Sequence, residues 1–412
     1  MRKKNVIKVI ALVLCLITML LSVGCSGANG AEAENTNEVT RLYLFGDMDG
    51  MEDKKDVRSV FAYFNQGGKH QFSRATVKVQ GSSSRFYDKK NYTIQFYEDA
   101  EHEQERLFDL GWGGQNEYCL KANWIDQTHS RNIVTAKLAA EIQSKYGIME
   151  QAPCNGLIDG FPIEVYINGS FHGIYTWNIP KAAWLFGMDE ENPDHIVMCA
   201  EYWKPATLFQ ELPNWEDWSV EAGPETDETM AKFTRLSDFI INSTDEEFRN
   251  NLGQYLDLDS LLTYYIIVDF AYMPDNRSKN MLIATYDGEL WYPSLYDLDT
   301  TWGTSWDGTY LYDYENEPVE FGVHSKLAGR LEQMFPQEIH DRYFELREDI
   351  LTKEHVMELF NEFDAQIPAK WKEKELKAWG PDIPGADFAQ IEEYLDYAIP
   401  MLDQKYSEFN QK

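Results

Sequence analysis

The spacing of hydrophobic residues changes along this chain from the period of β-strands to the period of α-helices. Before about residue 200, short runs that alternate or are rich in β-branched and aromatic residues predict strands at 41–45, 75–80, 91–97, 117–122, 162–167 and 170–177. Asn168 and Gly169 separate the last two runs and favour the positive φ angles of a tight hairpin turn. A single helix is predicted among these strands, over 127–145.

The second half of the chain is predicted to be mostly helical. Thr244 and Glu247 have the spacing of a capping box, in which each side chain bonds to the backbone N–H of the other residue at a helix start. Apolar residues recur on one face, or on nearly all faces, at 258–272, 356–367 and 388–409. Together these patterns predict an α+β fold in which strands come first and helices follow.

The N-terminus has the pattern of an exported protein. Three basic residues at 2–4 precede an apolar run at 9–23, which is too short to span a bilayer comfortably. Cys25 follows in a context that resembles a bacterial lipobox, which implies cleavage after residue 24 and acylation of this cysteine. Residues 25–40 lack apolar periodicity and predict a flexible tether. We therefore expect a lipid anchor in the membrane that holds the protein at the extracellular face of the cell; the alternative is a plain secreted protein.

Composition limits the classes of partner. The chain has 69 acidic and 37 basic residues and a formal net charge of −32, so it repels nucleic acid, and no nucleic-acid partner is expected. Its hydrophobic content of 43% is enough to build a folded core. A length of 412 residues favours two lobes or domains over one core.

Residues 270–303 contain the most informative group of candidate catalytic side chains. Asp275 and Asn280 are five positions apart, a predicted Asp-Gly hairpin follows, and the hairpin ends at Asp297 and Asp299. The catalytic loop of protein kinases has this order: an aspartate that accepts the hydroxyl proton, an asparagine for one Mg²⁺, and a hairpin that brings in a metal-binding aspartate. Phosphoryl transfer needs positioning and charge neutralisation more than covalent chemistry, so these side chains can suffice.

Each of these residues also has a plain structural interpretation. Aspartate and asparagine commonly cap turns, and Asp245 and Asn250 have the same spacing within a predicted helix. Asp297 and Asp299 alternate along a strand and should point to opposite faces, so we expect one of them to bind metal, and the pattern does not choose between them. The Asp-x-x-x-x-Asn spacing becomes informative when it is combined with the hairpin and the acidic pair.

The first half of the chain offers candidate parts of a nucleotide site. Gly81, Ser82 and Ser83 lie between two predicted strands, where small residues let backbone N–H groups approach phosphate oxygens. Lys90 opens the next strand and places a cation near that turn. The alternatives are a polar hairpin turn and a solvated lysine at a strand end. The sequence contains no Gly-x-Gly-x-x-Gly loop, Walker A motif or His-Arg-Asp motif, which excludes an ordinary eukaryotic kinase and a P-loop enzyme.

Four segments of the chain occur in the order found in the spore-coat CotH-like kinase family: VQGSSSRFYDKKNYTIQF, LKANWIDQTHSRN, VYINGSFHGIYTW and PDNRSKN…YDLDTTWG. The chain resembles this family over about residues 76–303 and weakly beyond them. The resemblance implies an atypical protein-kinase-like fold with two lobes, a β-rich N-lobe and a helical C-lobe. It also implies an enzyme that uses ATP and a divalent metal, Mg²⁺ or Mn²⁺, to phosphorylate serine on exported proteins.

The resemblance also implies roles for single residues. Lys90 matches the lysine before the aromatic position of one motif. Asp126 and Arg131 match an Asp…Arg-Asn element, for which we consider a structural or a nucleotide-proximal role. Trp177 and Asn178 stand where the family often has glutamate, which puts an acidic contact of the N-lobe in doubt. Three further residues match the catalytic aspartate and the two metal-binding positions, in this order: Asp275, Asn280 and Asp297.

These observations predict a domain organisation and a set of partners. We expect a signal peptide at 1–24, a tether at 25–40, an N-lobe that binds nucleotide at 41–200, a connector or insertion at 201–229, and a C-lobe with the catalytic loop at 230–412. The acceptor is expected to be an exported protein or a glycan. The alternative function is a non-catalytic surface protein, either a pseudokinase or a lipoprotein that binds carbohydrate or protein.

Overall fold

The computed structural model describes residues 40–66, 68–81, 84–310, 325–380 and 385–410. Within these ranges the fold is α+β, as the hydrophobic pattern predicts. The predicted signal peptide and most of the tether, including Cys25, lie outside the described residues, as do Ser82 and Ser83. Among the described helices, none combines the length and the apolar character that a bilayer crossing requires.

Seven strands of the first half close into a barrel. In barrel order they are β1 (Arg41–Phe45), β2 (Arg58–Gln66), β3 (Lys69–Gln80), β4 (Asn91–Tyr97), β7 (Glu117–Lys121), β9 (Ser170–Asn178) and β8 (Gly160–Ile167). Neighbouring strands are antiparallel except β1 and β8, whose parallel pairing closes the barrel. Two short strands, β5 (Phe108–Asp109) and β6 (Gly114–Gln115), form a separate hairpin between β4 and β7.

Alternation along the strands separates the interior of the barrel from its outer face. Phe64, Phe96, Tyr118 and Trp177 are fully buried and pack against one another inside, with ring centroids 5.3 to 6.3 Å apart. Lys121, the last residue of β7, instead points out of the barrel, toward the second half of the chain. The interior aromatic cluster therefore stabilises the barrel and leaves the outer ends of its strands available for polar contacts.

The predicted strands are present, but the closed barrel was not predicted. Strand β2 and the first half of β3 were missed, so the predicted strand at 75–80 is the end of a longer one. The predicted helix at 127–145 begins later, as α1 (Arg131–Lys145), because Asp126 accepts hydrogen bonds from the backbone N–H groups of Thr128 (3.0 Å) and Arg131 (2.8 Å). These bonds hold the preceding residues in a turn.

A second sheet follows the barrel. Its strands are β10 (Ile196–Ala200), β11 (Trp218–Ala222), β12 (Met281–Thr285) and β13 (Trp291–Leu295), in the order β11-β10-β12-β13. The predicted hairpin at Asp287 and Gly288 is confirmed as β12–β13. Strand β11 lies within the stretch 201–229 that we expected to be a connector or an insertion.

The remaining elements are helices, and local signals in the sequence explain where several of them begin. Thr244 and Glu247 form the predicted capping box at the start of α3 (Asp245–Asn251). Helix α4 (Leu258–Phe270) is buried on nearly every face, as its apolar sequence predicts, and it leads directly into the loop that contains Asp275. After α1 the described helices are α2 (Asp227–Asn242), α3 (Asp245–Asn251), α4 (Leu258–Phe270), α5 (Lys326–Met334), α6 (Pro336–Leu346), α7 (Lys353–Ala365), α8 (Ala369–Trp379) and α9 (Phe388–Phe409).

A buried ion pair fastens α8 to the barrel. Lys89, just before β4, is 1% exposed, and its Nζ donates to Glu375 of α8 at 2.6 Å and to the carbonyls of Ala122 and Ile174 at 3.0 and 2.5 Å. Glu375 also accepts from the backbone N–H of Ile174. A Cβ on Gly173 would lie 2.5 Å from the Lys89 side chain, so this position requires glycine. The pair therefore holds α8 against β9.

Breaking this pair on one side should cost more stability than breaking an exposed pair. We expect Glu375→Ala to lower the free energy of unfolding by about 3–5 kcal/mol, because the charge of Lys89 then stays buried without an opposite charge. As a control, Asp364→Ala removes the carboxylate 2.6 Å from the more exposed Lys372 of the same helix and should cost less than about 1 kcal/mol. Urea denaturation followed by tryptophan fluorescence measures both. Equal losses would show that the pair does not hold α8.

His129 should make the stability of the protein depend on pH. Its side chain is 6% exposed, and burial, together with the charge of Lys89, lowers its pKa to about 4. Between pH 6.5 and 4 the unfolded chain binds more protons at this residue, so stability falls as the pH falls.

Asparagine tolerates the φ of 59° at this position. We expect His129→Asn to reduce the pH slope of the unfolding free energy in this window by up to about 1.4 kcal/mol per pH unit. Urea denaturation at several pH values tests this, and an unchanged slope contradicts it.

Candidate functional site

The loop after α4 is fixed against the ends of two strands of the second sheet. Asp275 begins a short 3₁₀ turn, and Asn276 within this turn donates to the carbonyl of Tyr296, just beyond β13, at 2.9 Å. Asn280 donates its backbone N–H to the carbonyl of Ala200, at the end of β10, also at 2.9 Å. The loop and the end of the hairpin are therefore held together.

The hairpin places Asn280 and Asp297 at the same end. Met281 lies opposite Leu295 in the β12–β13 pair. Asn280, just before β12, and Asp297, just after β13, therefore lie at the same end of the hairpin. Both have positive φ angles, 61° and 58°, which asparagine and aspartate adopt more readily than most side chains. The five-residue spacing and the hairpin thus bring together side chains that are distant in the sequence.

The acidic end of the hairpin faces the barrel. Oδ1 of Asp297 accepts a hydrogen bond from Nζ of Lys121 at 3.3 Å. Lys121 is 8% exposed, whereas the Asp297 side chain is 36% exposed. The contact joins the two halves of the chain, and the exposure of the carboxylate leaves it accessible to a ligand.

Asp275, Asp297 and Asp299 influence one another electrostatically. Burial raises the pKa of Asp299 to about 7, and the charge of Asp297 adds to this shift. Burial also raises the pKa of Asp275, against the opposing charge of Lys279. Burial disfavours the ionised form of Asp297 as well, but Lys121, together with Lys279 and Lys181, outweighs burial and the pKa of Asp297 is lowered. Asp297 therefore keeps its charge at neutral pH, whereas Asp299 is near the midpoint of its titration.

Two lysines that the sequence analysis missed lie beside this group. Nζ of Lys121 and Nζ of Lys181 are 5.5 and 5.0 Å from the ring centroid of Tyr296, and both lysines help to lower the pKa of Asp297. A signal for Lys121 was available, because it lies next to the end of a predicted strand, inside the LKANW segment. Lys181 lies three residues after β9, and no motif marks it.

Lys181 also lies at the centre of a cluster formed by Cys199, Glu201 and Glu221. Its Nζ is 2.6 Å from Glu221, 4.0 Å from Glu201 and 3.3 Å from the Cys199 sulfur. The donor atoms of the three residues lie within 4.8 Å of one another, as in a metal site. The lysine ammonium already supplies positive charge there, so we interpret the cluster as an ion-pair network. Burial raises the pKa of Cys199 to about 12, which makes its thiol a poor nucleophile.

Lys90 stabilises the turn between β3 and β4. Its Nζ donates to the carbonyls of Arg85 and Tyr87, both at 2.9 Å. Gly81 has a φ of 102°, and a Cβ there would lie 1.9 Å from a serine hydroxyl of the same turn. Burial raises the pKa of Tyr87, which lies in this turn, and the charge of Asp299 adds to the shift. The turn is therefore within electrostatic reach of the acidic group. The structure therefore places the turn near the site but directs the ammonium of Lys90 into the turn itself.

Arg131 is fully buried at the start of α1. Its guanidinium donates to Asp126, to the carbonyl of Ala386 at 3.1 Å and to the side chain of Gln390 at 2.6 Å. These contacts join the turn before α1 to the start of α9. They favour the structural role for Arg131 over the nucleotide-proximal one.

Asn132, the next residue, holds the acidic segment in position. Its Oδ1 accepts from the backbone N–H of Leu298, the residue between the two aspartates of the hairpin end, at 2.8 Å. One turn later, Oγ1 of Thr135 accepts from the indole N–H of Trp302 at 2.8 Å. Helix α1 thus fixes the segment 297–302. Asn132 is the asparagine of the Asp…Arg-Asn element, which was the available signal for this role.

Removing the Asn132 amide should loosen this segment without removing a carboxylate. Asn132→Ala leaves the buried N–H of Leu298 without its acceptor, and we expect a loss of about 1–3 kcal/mol in stability. Hydrogen exchange measured by mass spectrometry should become faster in peptides that cover 297–302 and stay unchanged in peptides that cover β12. Unchanged exchange at 297–302 would contradict the positioning role.

Comparison with known families extends the sequence resemblance. The family model described as CotH kinase protein matches residues 77–397. The match begins where the resemblance begins and continues through the helices into α9. A search of the curated proteins found no match. Because the matched region covers most of the chain, this protein belongs to the CotH kinase family.

Proposed function

We propose that this member of the CotH kinase family transfers a phosphoryl group from ATP to a hydroxyl group of an acceptor. Family membership supports a kinase-like phosphotransferase. The observation that carries the proposal is the contact of Lys121 with Asp297, beside Asp275 and Asn280. Cations and carboxylates that meet between two parts of a chain suit a reaction dominated by charge neutralisation. We infer that the barrel and the helical part act as the two lobes of a kinase-like fold.

Asp275 is assigned the role of the base. Its carboxylate is 3.7 Å from Nζ of Lys279, and burial raises its pKa, which makes it a better proton acceptor than an exposed aspartate. In a loose transition state the proton of the attacking hydroxyl leaves late, so a carboxylate is basic enough. Asp275 would orient this hydroxyl and then accept its proton.

The donor set of the site fits a divalent cation. Asn280 and Asp297 offer oxygen atoms at one end of the hairpin, and Asp299 follows two residues later, a combination that suits Mg²⁺ or Mn²⁺. Burial raises the pKa of Asp299 and the charge of Asp297 adds to the shift, so Lys121 does not fully offset the cost of a second carboxylate here. When bound, the cation would supply charge neutralisation at the phosphate oxygens.

Lys121 is assigned the contact to the nucleotide phosphates, in place of Lys90. Lys121 extends from the barrel toward the carboxylates, whereas Lys90 donates to two carbonyls of its own turn. The turn that begins at Gly81, with Ser82 and Ser83, remains our candidate for backbone contacts to the nucleotide. Its proximity to the acidic group supports this assignment.

We further propose that the protein acts outside the cell. The basic residues, the short apolar run and Cys25 motivate a lipid anchor at the extracellular face of the membrane. One acyl chain gives marginal membrane affinity, so more than one chain would be needed for stable attachment. The acceptors are then serine or other hydroxyl groups on exported proteins or glycans.

Labelled ATP tests the residue assignments. With Mn²⁺ or Mg²⁺ and a panel of exported-protein and glycan acceptors, we expect Asp275→Asn to reduce label transfer by about 10²–10⁴-fold, because the base is lost. Asp297→Asn and Lys121→Met should also reduce it strongly, whereas folded Lys90→Met should retain most of the transfer. Unreduced transfer by both aspartate variants would discard the assignments.

Thermal unfolding separates the proposal from its alternative. A nucleotide that binds the folded state stabilises it by RT ln(1 + [L]/Kd), about 2.7 kcal/mol at a hundredfold excess over Kd. ATP with Mg²⁺ should therefore raise the melting temperature, and less so in Lys121→Met. If ATP with Mg²⁺ leaves the melting temperature unchanged and no label is transferred, the non-catalytic surface protein is favoured.

A further inference from the structure

We infer that the acceptor is a neutral oligosaccharide, bound by aromatic side chains beside the acidic site; this inference rests on the function proposed above. The side chains come from the turn between β3 and β4, from the loop after β7, from the segment after the hairpin and from the end of α8. We call them the aromatic belt: Phe86, Tyr87, Trp124, Trp306 and Trp379.

The members of the aromatic belt form a connected row. The rings of Tyr87 and Trp124 are stacked with centroids 6.4 Å apart, and Trp124 meets Trp379 edge-on at 5.8 Å. The Tyr87 hydroxyl donates to the carbonyl of Trp306 at 3.5 Å. Phe86 precedes Tyr87 in the same turn. Residues from four separate segments thus meet around Tyr87 and Trp124.

Two members of the belt are exposed to an unusual degree. Phe86 is 75% exposed and Trp306 63% exposed, the two largest values among the exposed large hydrophobic side chains of the described residues. Trp302, four residues before Trp306, is by contrast fully buried, so its ring serves packing. Large rings left in water next to a polar site are typical of a surface that binds a ligand.

The belt is continuous with the proposed active site. After burial itself, the charges of Asp299, Asp307 and Asp297 raise the pKa of Tyr87, so this ring lies within electrostatic reach of the acidic group. An acceptor lying on the belt would therefore lie near the carboxylates that Asp275 also influences.

The chemistry of the surface favours a sugar over other acceptors. The C–H face of a pyranose ring packs on aromatic rings, and sugar hydroxyls donate to carboxylates such as Asp88 and Asp307 near the belt. The same carboxylates and the net charge of −32 repel anionic acceptors.

The transfer step would follow the chemistry proposed above. A sugar hydroxyl oxygen forms a bond to the γ-phosphorus of ATP, and the bond from this phosphorus to the β–γ bridging oxygen breaks. The electron pair of the broken bond leaves with ADP, and the hydroxyl proton passes to Asp275. The products are a sugar phosphate ester and ADP.

Calorimetric titration without nucleotide tests the belt independently of catalysis. The probes are cellohexaose, the hexamer of N-acetylglucosamine, the hexamer of galacturonic acid, and a peptide that contains serine and lysine. We expect a neutral hexamer to bind, and Trp306→Ala and Phe86→Ala each to weaken it at least about tenfold. Trp306→Tyr, which keeps an aromatic ring, should retain most of the affinity. Phe72→Ala, at the other end of β3 and 49% exposed, should leave it unchanged.

The outcomes separate this inference from the proposed function. The saccharide surface would be overturned if neither neutral hexamer binds, if binding survives both alanine substitutions, or if only the peptide binds. Binding that depends on the belt, combined with no label transfer to the bound hexamer or to any other acceptor of the panel, would keep the saccharide surface but overturn both the saccharide as acceptor and the phosphotransferase. Label transfer to a peptide without saccharide binding would keep the phosphotransferase and overturn this inference.

Discussion

The site depends on the cost of placing several carboxylates close together in partly exposed positions where the barrel meets the hairpin. A buried charge is tolerated when an opposite charge and hydrogen bonds compensate it. Lys121 provides this compensation for Asp297 across the boundary between the barrel and the hairpin. The same compensation is incomplete for Asp299, whose pKa burial and the charge of Asp297 raise to about 7. The charges of the carboxylates at this position are thus only partly compensated, as is common where proteins bind ligands.

A frame of polar contacts between distant segments keeps these carboxylates in position. Asn276 ties the loop to the hairpin end, and Asn132 ties the acidic segment to α1. Lys89 and Glu375 hold α8 on the barrel. Several residues within the recognisable segments therefore serve the framework, while others face the carboxylates. Membership of a motif does not by itself assign a residue to the chemistry.

The sequence predicted those features that depend on residues close together in the chain. The turn at Asn168 and the capping box at Thr244 are of this kind, because their geometry is set within a few positions. Barrel closure depends on β1 pairing with β8, where Arg41 lies opposite Glu164, and hydrophobic alternation does not specify such a partner. Lys121 was missed for the same reason. Lys90 and Lys121 are both close to strand ends, and only the three-dimensional path shows that the ammonium of Lys121 extends toward Asp297.

Gln390 has a consequence for how small a working fragment of this protein can be. Its side chain accepts from Arg131 at 2.6 Å and donates to the carbonyl of Trp302 at 2.7 Å, so one amide braces both the helix and the segment that carries the aspartates. The family match runs to residue 397 and includes this position. A truncation soon after Asp299, the second aspartate of the hairpin end, would remove Gln390 and with it these two contacts. Helix α9 is therefore an integral part of the minimal unit and not a dispensable C-terminal extension.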